Sequence, residues 1–262
     1  MITTTRRGRE AGQQRILAVT IPTYLPTLSA VETRRVRLSL SNLSDHDCFF
    51  VAPRSLRTDW YEISFPDVPV VRFPNRHFRS VDTYSRWVLK PSLYRRFRTY
   101  EFVLICQTDA VVRRPLPVHD IWDFDYLGAP WEPPKLLGWD PTRRRLKGRG
   151  SVAKRSLEVG NGGLSLRRTS VFATRLGFPR FSEHPQEDKA ISYFAPDLGI
   201  RLADVRVARR YFMETGATGW RGGDAVPDVY GFHGLQNLNP ELEELILRDP
   251  ESSGNDLSTD VR

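Results

Sequence analysis

The sequence predicts an open α/β sheet of mostly parallel strands, and three observations support that fold class. The apolar runs 15–24 and 102–112 are continuous rather than alternating, as in strands that are covered on both faces. Between them, the apolar positions of 28–43 are spaced for an amphipathic helix. The first half then continues in the order strand, helix, strand, strand, helix, strand, which is typical of such sheets.

Each element of the first half depends on its own local pattern. Four apolar runs predict buried strands over 15–24, 48–53, 68–74 and 102–112. Besides the helix over 28–43, Ser80 is placed to cap a helix that contains Trp87. Pro91 must end that helix or begin a second short one, because proline cannot continue a helix.

The second half of the chain changes in character. Short strands interrupted by glycine are expected over 125–131, 159–168 and 228–234. The Asn-Pro pair at 239–240 is a favourable helix start, so a helix is predicted over 239–249.

Composition limits the class of protein. The 262 residues suffice for one large domain, and a hydrophobic fraction of 40% is typical of a folded protein. No stretch approaches the ~18 apolar residues of a membrane span, and the N-terminal segment lacks the apolar core of a secretory signal. Cys48 and Cys106 lie in apolar runs and indicate neither a disulfide framework nor a metal site, so a reducing cytoplasm is the predicted compartment.

The net charge of +8 at pH 7 is concentrated in part between residues 143 and 155. This basic loop is either a solvated surface or a contact for an anionic donor, an anionic acceptor, a membrane surface or a nucleic acid. Residues 141–155 contain no aromatic side chain, which counts against binding of a single-stranded nucleic acid.

A carboxylate follows the strongest predicted strand. Gln107, Thr108 and Asp109 come directly after the apolar residues that end at Cys106. Because ligands bind beyond the carboxyl ends of strands in open α/β sheets, Asp109 is placed to meet a metal-bound diphosphate. The alternative is a carboxylate that caps a turn.

A second candidate is the segment Gly160-Asn161-Gly162-Gly163. Its glycines permit a close approach of the backbone to a ligand, and the Asn161 amide is suited to bind sugar hydroxyls. The alternative is a tight hairpin turn, for which Asn-Gly is a common signal.

Two further positions carry side chains suited to chemistry. Glu187 and Asp188 open a predicted helix, where carboxylates either favour the helix dipole or deprotonate an acceptor hydroxyl. His233 lies in the glycine-bounded segment Gly-Phe-His-Gly (231–234) rather than in an apolar run, so it is a candidate metal ligand or phosphate contact. The sequence has no Walker A loop, no GxGxxG after the first strand, no HExxH, no GxSxG and no zinc-ligand spacing.

Taken in order, these segments resemble the glycosyltransferase-like family described as domain of unknown function 5672, over residues 58–234. The motifs that carry the resemblance are Leu-Tyr-Arg-Arg-Phe (93–97), Tyr-Glu through Gln-Thr-Asp (100–109), Asp-Tyr-Leu-Gly-Ala-Pro-Trp (125–131), Gly-Asn-Gly-Gly-Leu-Ser-Leu-Arg (160–167), Glu-Asp (187–188) and Gly-Phe-His-Gly (231–234).

The resemblance implies a GT-A fold within one domain over 15–249. A Rossmann-like, nucleotide-binding half (15–131) is fused to an acceptor half (132–249) that contains short mixed strands. On this division, 1–14 is a flexible basic arm and 250–262 is a disordered tail.

The resemblance also implies Mn²⁺ or Mg²⁺ on the donor diphosphate, usually held by an Asp-x-Asp motif. Gln107 replaces the first Asp, so Asp109 and His233 are the candidate ligands and metal dependence is left open. Without a metal, Lys90, Arg86 or the basic loop would supply the positive charge that stabilises the departing diphosphate.

The function that follows is that of a glycosyltransferase, a hexosyl- or related transferase with a nucleotide-sugar donor, UDP-sugar favoured. Its acceptor would be a hydroxyl of a glycan, a lipid-linked or small molecule, or a modified DNA base that reaches the basic loop. Asp188 or Glu187 would be the catalytic base. The expected donor-binding residues are Pro22, Thr23, Tyr24, Lys90, Gln107, Thr108, Asp109, Trp131, Asn161, Gly162 and Gly163.

Two other classes of protein stay open at this point. The positive net charge of the chain is also compatible with a basic nucleic-acid-binding protein. The motifs are also compatible with a catalytically inactive sugar-binding module. The paired Glu187 and Asp188 and the intact Asp109 argue against loss of activity.

Overall fold

Four parallel strands form the centre of the molecule. The computed structural model describes residues 15–140, 145–148, 152–175, 186–216, 219–223 and 225–248. Its central strands are β1 (Arg15–Pro22), β2 (Asp47–Pro53), β3 (Val70–Phe73) and β4 (Tyr100–Cys106). They lie in the order β3-β2-β1-β4, and every neighbouring pair is parallel, so their carboxyl ends share one edge of the sheet.

The remaining strands extend this sheet and build two smaller ones. They are β5 (Val111–Val112), β6 (Tyr126–Gly128), β7 (Pro130–Asp140), β8 (Arg145–Lys147), β9 (Val152–Val159), β10 (Leu164–Arg168), β11 (Phe212–Glu214) and β12 (Gly231–His233). β10 pairs antiparallel with both β4 and β6, which gives the six-stranded order β3-β2-β1-β4-β10-β6. The smaller sheets have the orders β11-β12-β5 and β8-β7-β9.

Capping residues and a proline mark the starts of several helices within the described residues. They are α1 (Ala30–Asn42), α2 (Asp59–Ser64), α3 (Val81–Val88), α4 (Pro91–Arg96), α5 (Thr169–Arg175), α6 (Glu187–Leu198), α7 (Val205–Tyr211) and α8 (Pro240–Leu247). Ser29 and Ser80 cap α1 and α3 through capping boxes, and Asn239 caps α8. Pro91 is the first residue of α4, where the missing N–H costs nothing.

The core lies on both faces of the central sheet. Alternate residues of β1 enter opposite clusters: Val19 lies with Val36 of α1, whereas Ala18 lies with Trp87 of α3. Because both faces are covered, the strands need no polar positions, which explains why their sequences are continuous apolar runs.

The predicted fold class is confirmed as a Rossmann-like, mostly parallel open α/β sheet with a second part built from short mixed strands. The division at residue 131 stays a prediction; β10, from the second half, lies between β4 and β6 of the first. The predicted arm (1–14) and tail (250–262) lie outside the described residues. Within the residues that the structure describes, no helix has the length and apolar character to cross a membrane.

One predicted strand is wrong in its extent. Residues 102–112 do not form a single strand, because β4 ends at Cys106 and a turn follows in which Ala110 N donates to Gln107 O (3.0 Å). β5 then joins β12 in a different sheet. Ala110 and the two valines of β5 are themselves buried, so hydrophobicity alone does not reveal the break.

Candidate functional site

A cleft of about 710 Å³ opens at the carboxyl edge of the central sheet. Segments that follow β1 and β4 form its walls, together with the first turns of α1 and α3. Because β1 and β4 are adjacent and parallel, the segments after them meet at one place, as in other open α/β sheets. Its lining includes Pro22, Tyr24, Glu32, Tyr84, Gln107 and Asp109.

Asp109 and His233 face each other at this edge. Asp109 lies in the turn after β4, and its Oδ1 is 3.4 Å from Nε2 of His233 at the end of β12. Both atoms are buried, and neither makes an aligned hydrogen bond within the described residues. Leu235 N donates to the Asp109 carbonyl (3.0 Å) and so joins the two segments. Buried polar atoms without partners are rare, so this pair indicates a place for a ligand.

The other nitrogen of the His233 ring is held by a second carboxylate. Nδ1 lies 3.0 Å from Oε2 of Glu214, the residue paired with His233 between β11 and β12. Burial would lower the pKa of His233, but Asp109 and Glu214 together raise it to about 10. Burial likewise acts to raise the pKa of Asp109, and His233 lowers it. Without another cation, a protonated His233 therefore lies between two carboxylates.

The pair also fits a divalent cation. A carboxylate oxygen and an imidazole nitrogen are common ligands of Mn²⁺, and a metal-bound histidine usually has its other nitrogen held as Glu214 holds this one. The described residues contain no group of three or more His, Cys, Asp or Glu side chains that would hold an ion. Asp109 and His233 would therefore be the protein ligands, with diphosphate and water completing the shell.

Gly162 and Gly163 are required by close packing. A Cβ at Gly163 would lie 1.9 Å from His233 Nε2, and a Cβ at Gly162 would lie 1.9 Å from Glu187 Oε1. The hairpin alternative is wrong, because β9 and β10, which flank the segment, belong to different sheets. The two glycines thus bring the chain between the Asp109–His233 pair and the start of α6.

Asn161 fixes the conformation of this segment. It is buried, has a positive φ of 49°, and its Oδ1 accepts a hydrogen bond from Gly163 N (3.1 Å). Asparagine tolerates this backbone conformation better than most residues. The predicted contact of Asn161 with a sugar stays a prediction, and its amide oxygen is already used within the segment.

The structure separates the roles of Glu187 and Asp188. Glu187 is buried with its Oε1 3.9 Å from Nη2 of Arg167, and the fully buried guanidinium of Arg167 also donates to the Tyr94 hydroxyl (2.8 Å). Burial and the neighbouring Asp188 raise the pKa of Glu187, while Arg167 acts to lower it. Asp188 is only partly buried, so it is the carboxylate of the pair that is accessible to an acceptor.

Gln107 connects the turn after β4 to the glycine segment. Its backbone N–H donates to the Gly163 carbonyl (2.8 Å), and its side chain lines the cleft together with Tyr84. Burial raises the pKa of Tyr84, so this phenol stays neutral. The position at which the GT-A motif has its first Asp is thus filled by a neutral amide beside a neutral phenol.

The segment after β1 contributes unequally to the cleft. Pro22 and Tyr24 line it, whereas Thr23 is buried and hydrogen-bonds the Tyr61 hydroxyl beneath. Thr108 lines the cleft and donates to Glu32 Oε1 (2.9 Å), which ties the turn after β4 to the first turn of α1.

Two predicted donor-binding residues lie elsewhere. Trp131 is 2% exposed and packs against Gly160. The Nζ atom of Lys135 lies over its ring, 4.2 Å from the centroid. The indole therefore supports the glycine segment from within the core and does not line the cleft. Lys90 is exposed at the start of α4 and does not line it either.

The basic loop is only partly described. Arg143, Arg144 and Arg149 lie outside the described residues. Lys147 pairs with Asp140 (2.6 Å) and Arg155 pairs with Asp197 (2.8 Å), so these two cations are already engaged.

Sequence reasoning did not single out Glu214, Arg167 or Tyr84 as site residues. Arg167 stands inside one of the six motifs, where an arginine within an apolar strand is an unusual residue for a core. Glu214 and Tyr84 have no such signal, because the residues that they join at the site, His233 and Gln107, are distant in sequence.

Comparison with known proteins places this geometry in a family. No curated protein matches the chain in sequence. The structure is similar to a solved one described as the apo structure of the WbbM bifunctional glycosyltransferase, with 10% identity and a TM-score of 0.45 over 79% of this chain. The chain spans 41% of that protein's length. The sequence model of the family described as "Protein of unknown function (DUF5672)" matches residues 67–223, and the chain belongs to this family.

Proposed function

We propose that this protein is a glycosyltransferase that moves a sugar from a nucleotide-sugar donor to an acceptor hydroxyl. The observation that carries the proposal is the pair of buried atoms Asp109 Oδ1 and His233 Nε2 at the carboxyl edge of the sheet, which lie 3.4 Å apart and make no aligned hydrogen bond within the described part of the chain. A diphosphate with its cation satisfies such a pair, and the adjoining cleft of about 710 Å³ has the size of sites that hold small molecules.

The donor lies along the cleft in this proposal. Its base and ribose contact Pro22 and Tyr24 after β1, and its diphosphate approaches Asp109 and His233. We favour a UDP-sugar. Mn²⁺ or Mg²⁺, when bound to that pair, would neutralise charge on the departing diphosphate.

The chemical step needs a base and a closely placed sugar. Asp188 accepts the proton of the acceptor hydroxyl while the acceptor oxygen bonds to the anomeric carbon of the sugar. The bond from that carbon to the diphosphate oxygen breaks, and the nucleoside diphosphate leaves with the electron pair. Gly162 and Gly163 let the backbone pack directly against Glu187 and His233, and Glu187 keeps Asp188 in place through its contact with Arg167.

The test is binding of nucleotide sugars measured by thermal unfolding. Panels of UDP-, GDP-, dTDP- and CMP-sugars are compared with and without Mn²⁺. A donor at 100 times its dissociation constant should stabilise the fold by about 2.7 kcal/mol. We expect one nucleotide class to stabilise the protein, with a larger shift when Mn²⁺ is present.

Two variants sharpen this test. Asp109→Asn should lose the metal-dependent part of the shift, whereas Asp67→Asn, at an exposed position that does not line the cleft, should keep it. If no nucleotide sugar stabilises the wild-type protein under either condition, the transferase proposal fails.

A further inference from the structure

A second concentration of positive charge lies outside the basic loop. Residues 72–98 contain one carboxylate, that of Asp82, against eight basic side chains: Arg72, Arg76, Arg79, Arg86, Lys90, Arg95, Arg96 and Arg98. This segment runs from the end of β3 through α3 and α4 to the start of β4. It therefore begins at the carboxyl edge of the sheet, beside the cleft, and ends at the opposite edge.

Three cations are gathered at the carboxyl edge. Arg54 directly follows β2, and its N–H donates to the carbonyl of Phe73, the last residue of β3 (2.9 Å). Arg76 and Arg79 follow β3, and Arg79 lines the cleft. Because β2 and β3 are parallel neighbours, the segments after them lie side by side.

Lys90 lies near the same group. Burial, together with the charges of Arg76 and Lys90, lowers the pKa of His77 to about 4, so both cations lie near this ring. His77 stacks on Trp87 of α3, with a centroid distance of 5.3 Å, which holds the turn after β3 against that helix.

The four side chains are available to a partner. Arg54, Arg76, Arg79 and Lys90 are all exposed, and none has a carboxylate within 4.0 Å among the residues that the structure describes. Exposed cations without counterions repel one another, so an anionic partner would stabilise this arrangement.

Exposed apolar side chains accompany these cations. Tyr24 (66% exposed) and Leu25 (48%) follow β1, and Val81 (79%) opens α3 at the mouth of the cleft. The carboxyl-edge face, as we name it, consists of these three residues with Arg54, Arg76, Arg79 and Lys90.

We propose that the carboxyl-edge face binds an anionic lipid bilayer and presents the cleft to the membrane surface. Arginine and lysine bind acidic headgroups, and aliphatic side chains such as Leu25 and Val81 enter the interface between headgroups and acyl chains. A single-stranded nucleic acid would instead favour several aromatic side chains for stacking, and the face offers only Tyr24. This inference goes beyond the proposed function and does not depend on it.

The test is sedimentation of the full chain with lipid vesicles, without any nucleotide sugar. We expect the protein to bind vesicles of phosphatidylcholine containing phosphatidylglycerol and not vesicles of phosphatidylcholine alone. Binding should weaken strongly between ~0.1 M and ~1 M salt, as the Debye length falls from ~10 Å to ~3 Å. The triple variant Arg54→Gln, Arg76→Gln, Lys90→Gln should lower the partition coefficient on the order of a hundredfold.

A matched triple variant controls for the charge removed. Arg95→Gln, Arg96→Gln, Arg98→Gln also neutralises three exposed cations, but they precede β4 and so lie towards the amino edge of the sheet. It should retain most of the binding. Leu25→Ser should weaken binding with no change in charge, whereas Leu136→Ser, at a comparably exposed position on β7, should not.

Three results would overturn the proposal. One is failure of the wild-type protein to bind the anionic vesicles at low salt. Another is an equal loss of binding in both triple variants, provided that each keeps the wild-type melting temperature. The third is tighter binding to DNA than to vesicles with the same dependence on Arg54, Arg76 and Lys90, which would identify a nucleic-acid surface.

Discussion

At the scale of single residues, the geometry of the site depends on the absence of a side chain at Gly163. The space that a Cβ would fill there contains His233 Nε2 and, 2.8 Å away, Gln107 Oε1. The imidazole can face Asp109 only because no side chain stands in that space.

We predict that Gly163→Ala displaces His233 and weakens binding of Mn²⁺ by tenfold or more, since a lost ligand or a shifted supporting group typically costs about 10–100-fold in metal affinity. Titration calorimetry with Mn²⁺ measures this. Gly148→Ala is the control, because the nearest atom to its added methyl is 3.7 Å away. Unchanged affinity in Gly163→Ala would show that His233 is not a ligand.

The neighbouring carboxylates Glu187 and Asp188 should respond differently to neutralisation. Asp188→Asn should slow transfer by about 10²–10⁴-fold, the usual contribution of a general base, and leave donor binding unchanged. Glu187→Gln should mainly lower the free energy of unfolding, because it leaves the buried Arg167 without its counterion. Transfer rates and denaturant titrations of both variants separate the roles; equal rates in Asp188→Asn and wild type would exclude Asp188 as the base.

At the scale of elements, Asp125 joins three segments that approach from different directions. It precedes β6, accepts a hydrogen bond from Arg168 Nε of β10 (3.0 Å) and accepts another from Arg201 N after α6 (2.9 Å). Burial acts to raise the pKa of Asp125, but the hydrogen bonds from Arg201 and the charge of Arg168 lower it. The carboxylate is 3% exposed, so these contacts are shielded from water.

A pKa that is lower in the folded state than in the unfolded state stabilises the fold at pH values above the unfolded pKa. That contribution is lost as the pH falls through the folded pKa. We therefore predict that Asp125→Asn lowers the free energy of unfolding by about 1–3 kcal/mol at neutral pH, as expected when charged hydrogen bonds to a buried carboxylate are lost. The difference from wild type should shrink as the pH is lowered below ~4.

Urea titrations at neutral and acidic pH measure this dependence. Asp67→Asn, at an exposed position, should show no comparable difference at either pH. A constant difference between Asp125→Asn and wild type across the acidic range would contradict the assignment of a lowered pKa to Asp125.

At the scale of the whole molecule, β10 makes the two parts of the chain interdependent. It lies between β4 and β6 and hydrogen-bonds both, although it follows them by more than thirty residues in the sequence. The β12 strand likewise pairs with β5, which directly follows the turn that holds Asp109.

We predict that a fragment of residues 15–131 does not fold cooperatively by itself, because β4 and β6 would lose the strand that joins them. Near-UV circular dichroism and thermal unfolding of the fragment test this, with the full chain as the control. The full chain should unfold in one calorimetric transition if the sheet is a single cooperative unit. An independently folded fragment would support separate halves.

The sequence by itself determined the local structure. Continuous apolar runs located β1, β2, β3 and most of β4, because a strand covered on both faces has no polar positions. Capping residues such as Ser80 and Asn239 marked helix starts, because they satisfy backbone groups within a few residues of themselves. Asp109, His233 and the glycine segment were identified as candidates because their residue types are unusual at those positions.

Tertiary structure alone decided which of these candidates meet. Contacts between residues far apart in sequence bring Asp109 to face His233 and bury Glu187 against Arg167. They also place Trp131 in the core. The end of the strand at Cys106 also depends on a distant contact, because β5 pairs with β12 outside the central sheet. Local patterns record burial and backbone preference, whereas the pairing of distant strands fixes which side chains share a site.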